Sequence, residues 1–237
     1  MPSQNSVVAI SGATGLLGPP VTAAFAERGA RIAIAGRSQA KLDQLLDPLN
    51  LPDERRLASA VDLSDEDATR DWADQVAAKF GGIDVMLHLV GGYRANKSIA
   101  EIDTDDWDVL HTLLIKTTLN TTRAFLPYLK KSDGGRFIGV TSITAQTPTY
   151  RNAIYAMAKA ASDALILAMA DELKGSSTTA NIIAVRAIYT AKMQAENPDK
   201  DYRKFTSAEE IAAAMRYLAS QEACVINGTR LALHGRS

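Results

Sequence analysis

Cysteine is nearly absent from this chain. Its 237 residues contain one, Cys224, which excludes an internal disulfide and a cysteine-based metal cluster. Histidine is also scarce: His88, His111 and His234 are scattered, without partners at zinc-ligand spacing, so no metal site is expected. Neither sign of charge is in excess. With 26 Lys and Arg against 27 Asp and Glu, and no basic stripe, no nucleic-acid partner is expected. Apolar runs are broken by polar residues well short of the roughly 18 needed to span a bilayer, so no membrane partner is expected either. The opening MPSQNS lacks the charged-then-apolar pattern of a signal peptide, which favours a cytoplasmic address. Cys224, in EACVING, is expected to be a small buried hydrophobe beside the last strand.

What is present is an ordinary globular balance, 46% apolar and 22% charged, long enough for one α/β domain over 1–237 with its own core. Short β-branched runs at 6–11, 30–36, 56–62, 84–90, 135–142, 181–187 and 229–235 alternate with helical patterns. The helices are expected near 16–28, 38–47, 64–80, 104–130, 150–174 and 207–220. Several strands are apolar at consecutive positions, as strands buried on both faces should be. The alternation predicts a doubly wound, Rossmann-type parallel sheet of about seven strands with helices on both faces. The polar connection 189–206 exceeds the usual loop and is a candidate lid.

The first strand runs into SGATGLLGPP, where Gly12, Gly15 and Gly18 precede a helix. Glycines let the backbone approach a pyrophosphate, whose charge a helix N-terminus favours. Thr14 and Leu17 lie in the same turn. Pro19 and Pro20 suit the first helical turn but carry no N–H, so anion contacts fall to residues such as Leu16, Leu17 and Gly18. The second strand ends in Gly36-Arg37-Ser38. An acidic side chain there would accept from the ribose hydroxyls of NAD; Arg37 instead suits a 2′-phosphate. The expected cofactor is NADP, used as NADPH, with NAD possible.

Tyr155 and Lys159 stand four apart in YAMAK, on one face of a helix, and Ser142 ends the fifth strand. Reducing a carbonyl needs a hydride on carbon and a proton on oxygen. Tyrosine, with a pKa near ~10, is a reluctant acid–base group at neutral pH. A lysine ammonium and the oxidised nicotinamide beside it are expected to bring that value closer to the working range. Ser142 can donate to the substrate oxygen as charge builds there.

With these residues the chain resembles the short-chain dehydrogenase/reductase family over essentially its whole length. The resemblance is carried by the glycine turn, Asp62-Leu63 after strand three, Gly91 after strand four, Ser142 with Tyr155-x-x-x-Lys159, and the closing NGTRLALHG. It implies a reductase of a small carbonyl, or the reverse alcohol dehydrogenase, with Lys159 also holding the nicotinamide ribose. It implies cofactor contacts from Val90, Gly91, Ile188 and Thr190, the last to the carboxamide. It also implies a homo-oligomer, tetramer or dimer, through helices 104–130 and 150–174. HLVGGY, the short connection after strand six and the closing HGRS are similar to a branch with dihydropteridine-reductase-like features. Substrate choice would lie in 189–206 and around Arg94, Thr144 and Tyr150.

The chain also departs from the family pattern. Ser11 replaces a threonine and Leu16 a small residue. His88-Leu89-Val90 replaces Asn-Asn-Ala, and Ala187-Ile188 a Pro-Gly. Leu114 replaces an asparagine whose helix kink exposes a carbonyl to a water in a proton relay; His111, Thr117 and Thr118 are its candidate polar supports. His88, ending a buried strand, reads as a packed histidine rather than a catalytic acid. These departures keep a second reading open, a dinucleotide-binding sensor with little turnover. A pure assembly protein would need neither Arg37 nor the glycine turn.

Overall fold

A computed structural model describes residues 5–236. Along the chain lie β1 (Val7–Ser11), α1 (Gly18–Ala26), β2 (Arg31–Gly36), α2 (Gln39–Leu46), β3 (Arg56–Ala60), α3 (Glu66–Phe80) and β4 (Val85–His88). They are followed by α4 (Thr104–Leu110), α5 (Thr117–Leu129), β5 (Arg136–Ser142), α6 (Ala153–Glu172) and β6 (Thr179–Val185). β7 (Ile188–Tyr189), α7 (Ala191–Glu196), β8 (Thr206–Ser207), α8 (Ala208–Leu218) and β9 (Arg230–Leu233) complete the order. The main sheet runs β3-β2-β1-β4-β5-β6-β9, all parallel, so the doubly wound architecture is as the alternation predicts. Strand order reverses between β1 and β4, where the carboxyl ends of the strands part into a crevice.

Strands β1 to β6 feed both cores. Val8 and Ile10 of β1 face the layer built with Val21 and Phe25 of α1 and Ile211 and Met215 of α8. Val7 and Ala9 face the other layer, with Trp72 of α3, Phe125 of α5 and Ile166 of α6. Trp72 and Phe125 meet edge-on with ring centroids 4.8 Å apart. Truncating either to alanine would cost about 3–5 kcal/mol. α3 shows local and tertiary preferences agreeing: the Asp65 side chain caps the Ala68 amide at 2.9 Å, and Gly81, at φ +83°, ends the helix.

Three expectations need correction. The pattern over 104–130 is two α-helices joined by a π-helical segment, His111–Lys116. There Thr117 and Thr118 donate to the Leu113 and Leu114 carbonyls, both at 2.6 Å, competing with the regular ladder. The connection 189–206 is not structureless: it contains α7, and β7 pairs with β8. Cys224 is exposed, because it follows a short 3-10 turn and precedes β9 rather than starting it. By composition alone Tyr150–Glu172 has the length and mean hydropathy, 1.4, of a membrane-crossing helix, although Lys159 and Asp163 interrupt it. In the fold its core-facing side is occupied, packing Ile166 and Met169 and burying Lys159 and Asp163.

Candidate active site

The crevice is a cavity of about 1320 Å³ running along the carboxyl ends of β2, β1, β4, β5 and β6. Arg37 follows β2 and Ser142 ends β5. They are separated by three strand spacings, roughly 14 Å, a span that suits an extended dinucleotide.

The glycine turn forms the cavity floor. Gly12 lines it at φ +70°, and a Cβ there would lie 2.8 Å from the Val90 amide nitrogen, so β4 closes directly over the turn. Gly18 does something else. It lies outside the cavity lining, its N–H is consumed by the Gly15 carbonyl at 3.1 Å, and a Cβ would sit 1.6 Å from the Ala13 oxygen. It is a packing glycine, and the amides of Leu16 and Leu17 remain as anion donors. Thr14, Gly15, Leu17, Asp62, Leu63, Val90, Gly91 and Ile188 also line the cavity, whereas Ser38 and Thr190 do not. Ser38 precedes α2, and Thr190 caps α7 by accepting from the Met193 amide at 3.2 Å.

Arg37 is exposed at one end of the cavity, with Lys41 beside it. Asp62 is held below the usual carboxylate range, first by the Ser64 hydroxyl and then by the Ser64 amide, at 2.7 and 2.9 Å. Asn120 anchors the neighbouring Leu63 carbonyl at 3.0 Å. The turn, the open basic end and the cavity's length fit a nicotinamide dinucleotide.

At the other end Ser142, Tyr155 and Lys159 come together. The Ser142 oxygen accepts from the Thr144 hydroxyl at 2.9 Å and the Thr144 amide at 3.3 Å. Its own proton is thereby free to turn toward Tyr155, whose phenol it pulls down. Lys159 is buried, and its ammonium donates to the Val140 carbonyl at 3.0 Å. Burial pushes the Tyr155 phenol up to about 12, against the lowering pull of the Ser142 hydrogen bond, and brings Lys159 down to about 8. The sequence-based expectation rested on the lysine ammonium and the oxidised nicotinamide, and burial acts on the phenol in the opposite direction. Desolvation is the largest cause, the Tyr93 and Asp163 charges act in the same direction, and Lys159 is turned toward β5.

His88 is packed, not catalytic. Thr118 spends its hydroxyl proton on the Leu114 carbonyl, so at 3.1 Å it accepts from His88 Nε2–H; Nδ1 then accepts from Ser11 at 2.8 Å. Both ring nitrogens are satisfied in the neutral form, and burial holds the pKa down at about 3, aided by the Lys159 charge. The helix does open at Leu114, but its carbonyl accepts from both Thr118 and Ser162, at 2.6 and 2.9 Å. Both lone pairs are used. His111 is exposed and tilted against Trp107 instead.

Of the substrate-side candidates, Arg94 and Thr144 line the cavity, whereas Tyr150 and the segment 189–206 do not. Four participants went unseen in the sequence. Tyr93 meets Tyr155 edge-on with ring centroids 4.9 Å apart, Val140 offers its carbonyl, Arg186 lines the cavity, and Asp163 lies buried one turn beyond Lys159. Only Asp163 carried a readable signal, its helical spacing from Lys159.

A family model for the short chain dehydrogenases matches residues 6–201. The chain belongs to the short-chain dehydrogenase family. It is 29% identical over 218 residues to an uncharacterized oxidoreductase of Staphylococcus epidermidis, covering 92% of each chain. A short-chain type dehydrogenase/reductase from Mycobacterium ulcerans superposes with a TM-score of 0.90 at 24% identity, over 100% of this chain and 90% of that one. A short chain dehydrogenase of Shigella flexneri, solved with NADP, superposes at 0.86 and 21% identity over 98% of both. The chain is therefore a short-chain dehydrogenase/reductase on a Rossmann-type sheet, an oxidoreductase of the NAD(P)-dependent kind.

Proposed function

We propose that this short-chain dehydrogenase is an NADPH-dependent reductase of a small carbonyl compound, able to run in reverse as an alcohol dehydrogenase. One observation carries the reading. Ser142, Tyr155 and Lys159 converge at one end of a crevice whose other end offers an exposed arginine where an acid would favour NAD.

Gly12, Thr14, Gly15 and Leu17 would hold the pyrophosphate, Arg37 and Ser38 the 2′-phosphate, and Asp62, Leu63, Val90 and Gly91 the adenosine side. Ile188 and Thr190 would meet the carboxamide, since Thr190 accepts in its cap and keeps its own proton to donate. When bound, reduced nicotinamide supplies the hydride. Tyr155, protonated at working pH, gives its proton to the substrate oxygen. Ser142, fixed by Thr144, donates to the same oxygen and holds it against the phenol. Lys159 stabilises the phenolate left behind and returns it to the acid form. Exposed Val109, Leu119 and Met157, on α4, α5 and α6, favour a homo-oligomer through these helices, which light scattering tests.

The filled carbonyl of Leu114 favours a second reading, a dinucleotide sensor with little turnover. NADPH oxidation against a panel of ketones, quinones and pterins separates the two. Turnover with any class supports the reductase, and tight NADPH binding without turnover supports the sensor.

A further inference from the structure

Asp163 is a buried acid that the proposed chemistry leaves idle. It is 1% exposed and lies on the Tyr155–Lys159 stripe of α6, one turn beyond the lysine. Arg230, from the edge strand β9, approaches it at 3.1 Å between Nε and Oδ2. The pair is poorly aligned for hydrogen bonding. Both Asp163 oxygens, Arg230 Nε and Thr141 Oγ1 are buried without a hydrogen bond of ordinary geometry among the described residues. A charge pair with so little hydrogen bonding is a poor source of stability, since desolvation outweighs its attraction.

Its placement gives it another use. The Lys159 ammonium is buried, and its hydrogen bond is to a neutral carbonyl. The titratable groups around it are few. On α6 there are Tyr155 and Asp163; from β4 comes His88, neutral in its network; from the loop after β4 comes Tyr93, behind Tyr155; from β9 comes Arg230, beyond Asp163. Val140, Thr141 and Ser142 of β5 bring no charge. Asp163 is thus the anion facing Lys159, with a second cation on its far side.

We propose that Asp163 is a positioning residue whose carboxylate, anchored by Arg230, is the counter-charge that keeps the Lys159 ammonium protonated beneath Tyr155. The inference rests on reading Tyr155 and Lys159 as the reacting pair. Its electrostatic core can nevertheless be tested without turnover. The direction agrees with the structure, where Asp163 raises the lysine against the lowering effect of burial. Removing the carboxylate leaves a buried ammonium and a partly exposed guanidinium with no anion between them.

The test is heteronuclear NMR of the full chain labelled at lysine Cε and Nζ. The Lys159 signal is assigned by its loss in Lys159→Arg, and its titration is followed in wild type and in Asp163→Asn. The midpoint should fall by about one pH unit or more, the effect of removing an opposite charge at this range. Asp163→Glu should restore most of the shift. Because Asp163→Asn leaves Arg230 without its partner and is liable to misfold, the double variant Asp163→Leu with Arg230→Leu is run beside it. Replacing both charges should still lower the midpoint, by less than Asp163→Asn because the Arg230 cation is gone as well, with no loss of thermal stability. An unmoved or raised midpoint in the folded variants overturns the proposal. In the same samples, the alkaline limb of carbonyl reduction should fall with the lysine. If wild type shows no turnover, the reductase reading fails while the titration still decides the role of Asp163.

Discussion

The Ser162 hydroxyl donates to the Leu114 carbonyl at 2.9 Å, tying the helix of Tyr155 and Lys159 to the π-helical segment before α5. Thr118 takes the other lone pair of that oxygen. Leu114 itself is 1% exposed, among Leu110, Ile154 and Ala158. Putting asparagine there places an amide in an apolar pocket without restoring an open carbonyl. Leu114→Asn should therefore destabilise the protein by about 2–4 kcal/mol in urea unfolding. It should alter turnover by less than about tenfold, or ~1.4 kcal/mol of barrier. A hundredfold rise in turnover would mean that the natural protein has a broken relay, and the sensor reading would lead.

His88 makes the fold sensitive to acid. Its imidazole is neutral in the folded state with a pKa near 3, against an ordinary value of 6.5. Between those pH values the unfolded chain binds the extra proton, so stability is present above about 6.5 and is lost as pH falls. His88→Asn should lose less stability than wild type between pH 7.5 and 5.0, by roughly 2 kcal/mol. Parallel urea titrations at the two pH values check this, and equal losses in both proteins would refute it.

The architecture was legible because its signals are local. Val7 to Ile10 and Ile32 to Ala35 are apolar at consecutive positions because both faces of each strand are covered, and that pattern is visible in the residues alone. The Tyr155–Lys159 spacing is legible for the same reason: i and i+4 meet on any helix. Contacts across the chain were not legible. Nothing in the sequence brings Tyr93 to Tyr155, Val140 to Lys159 or Arg230 to Asp163, since each depends on strand register and loop path. The phenol's upward shift was missed because desolvation depends on burial, whereas the nearby lysine could be read from sequence. Gly18 lies near the expected contacts but serves packing.

Arg37 decides between cofactors. An exposed guanidinium at the carboxyl end of β2 can engage a 2′-phosphate but gives the bare ribose of NADH little. Arg37→Ala should weaken NADPH roughly tenfold or more while leaving NADH nearly unchanged. Calorimetric titration of both cofactors measures it. Equal losses would reassign Arg37 to the surface and reopen NAD as the native partner.

The most direct measurement of the central claim is the behaviour of Tyr155→Phe. The substitution keeps the aromatic ring against Tyr93 and removes the hydroxyl that Ser142 contacts. NADPH affinity, followed by cofactor fluorescence, should be nearly unchanged, while carbonyl turnover falls by at least the 10²–10⁴-fold typical of losing a positioned acid. Retention of full turnover in Tyr155→Phe would contradict the account.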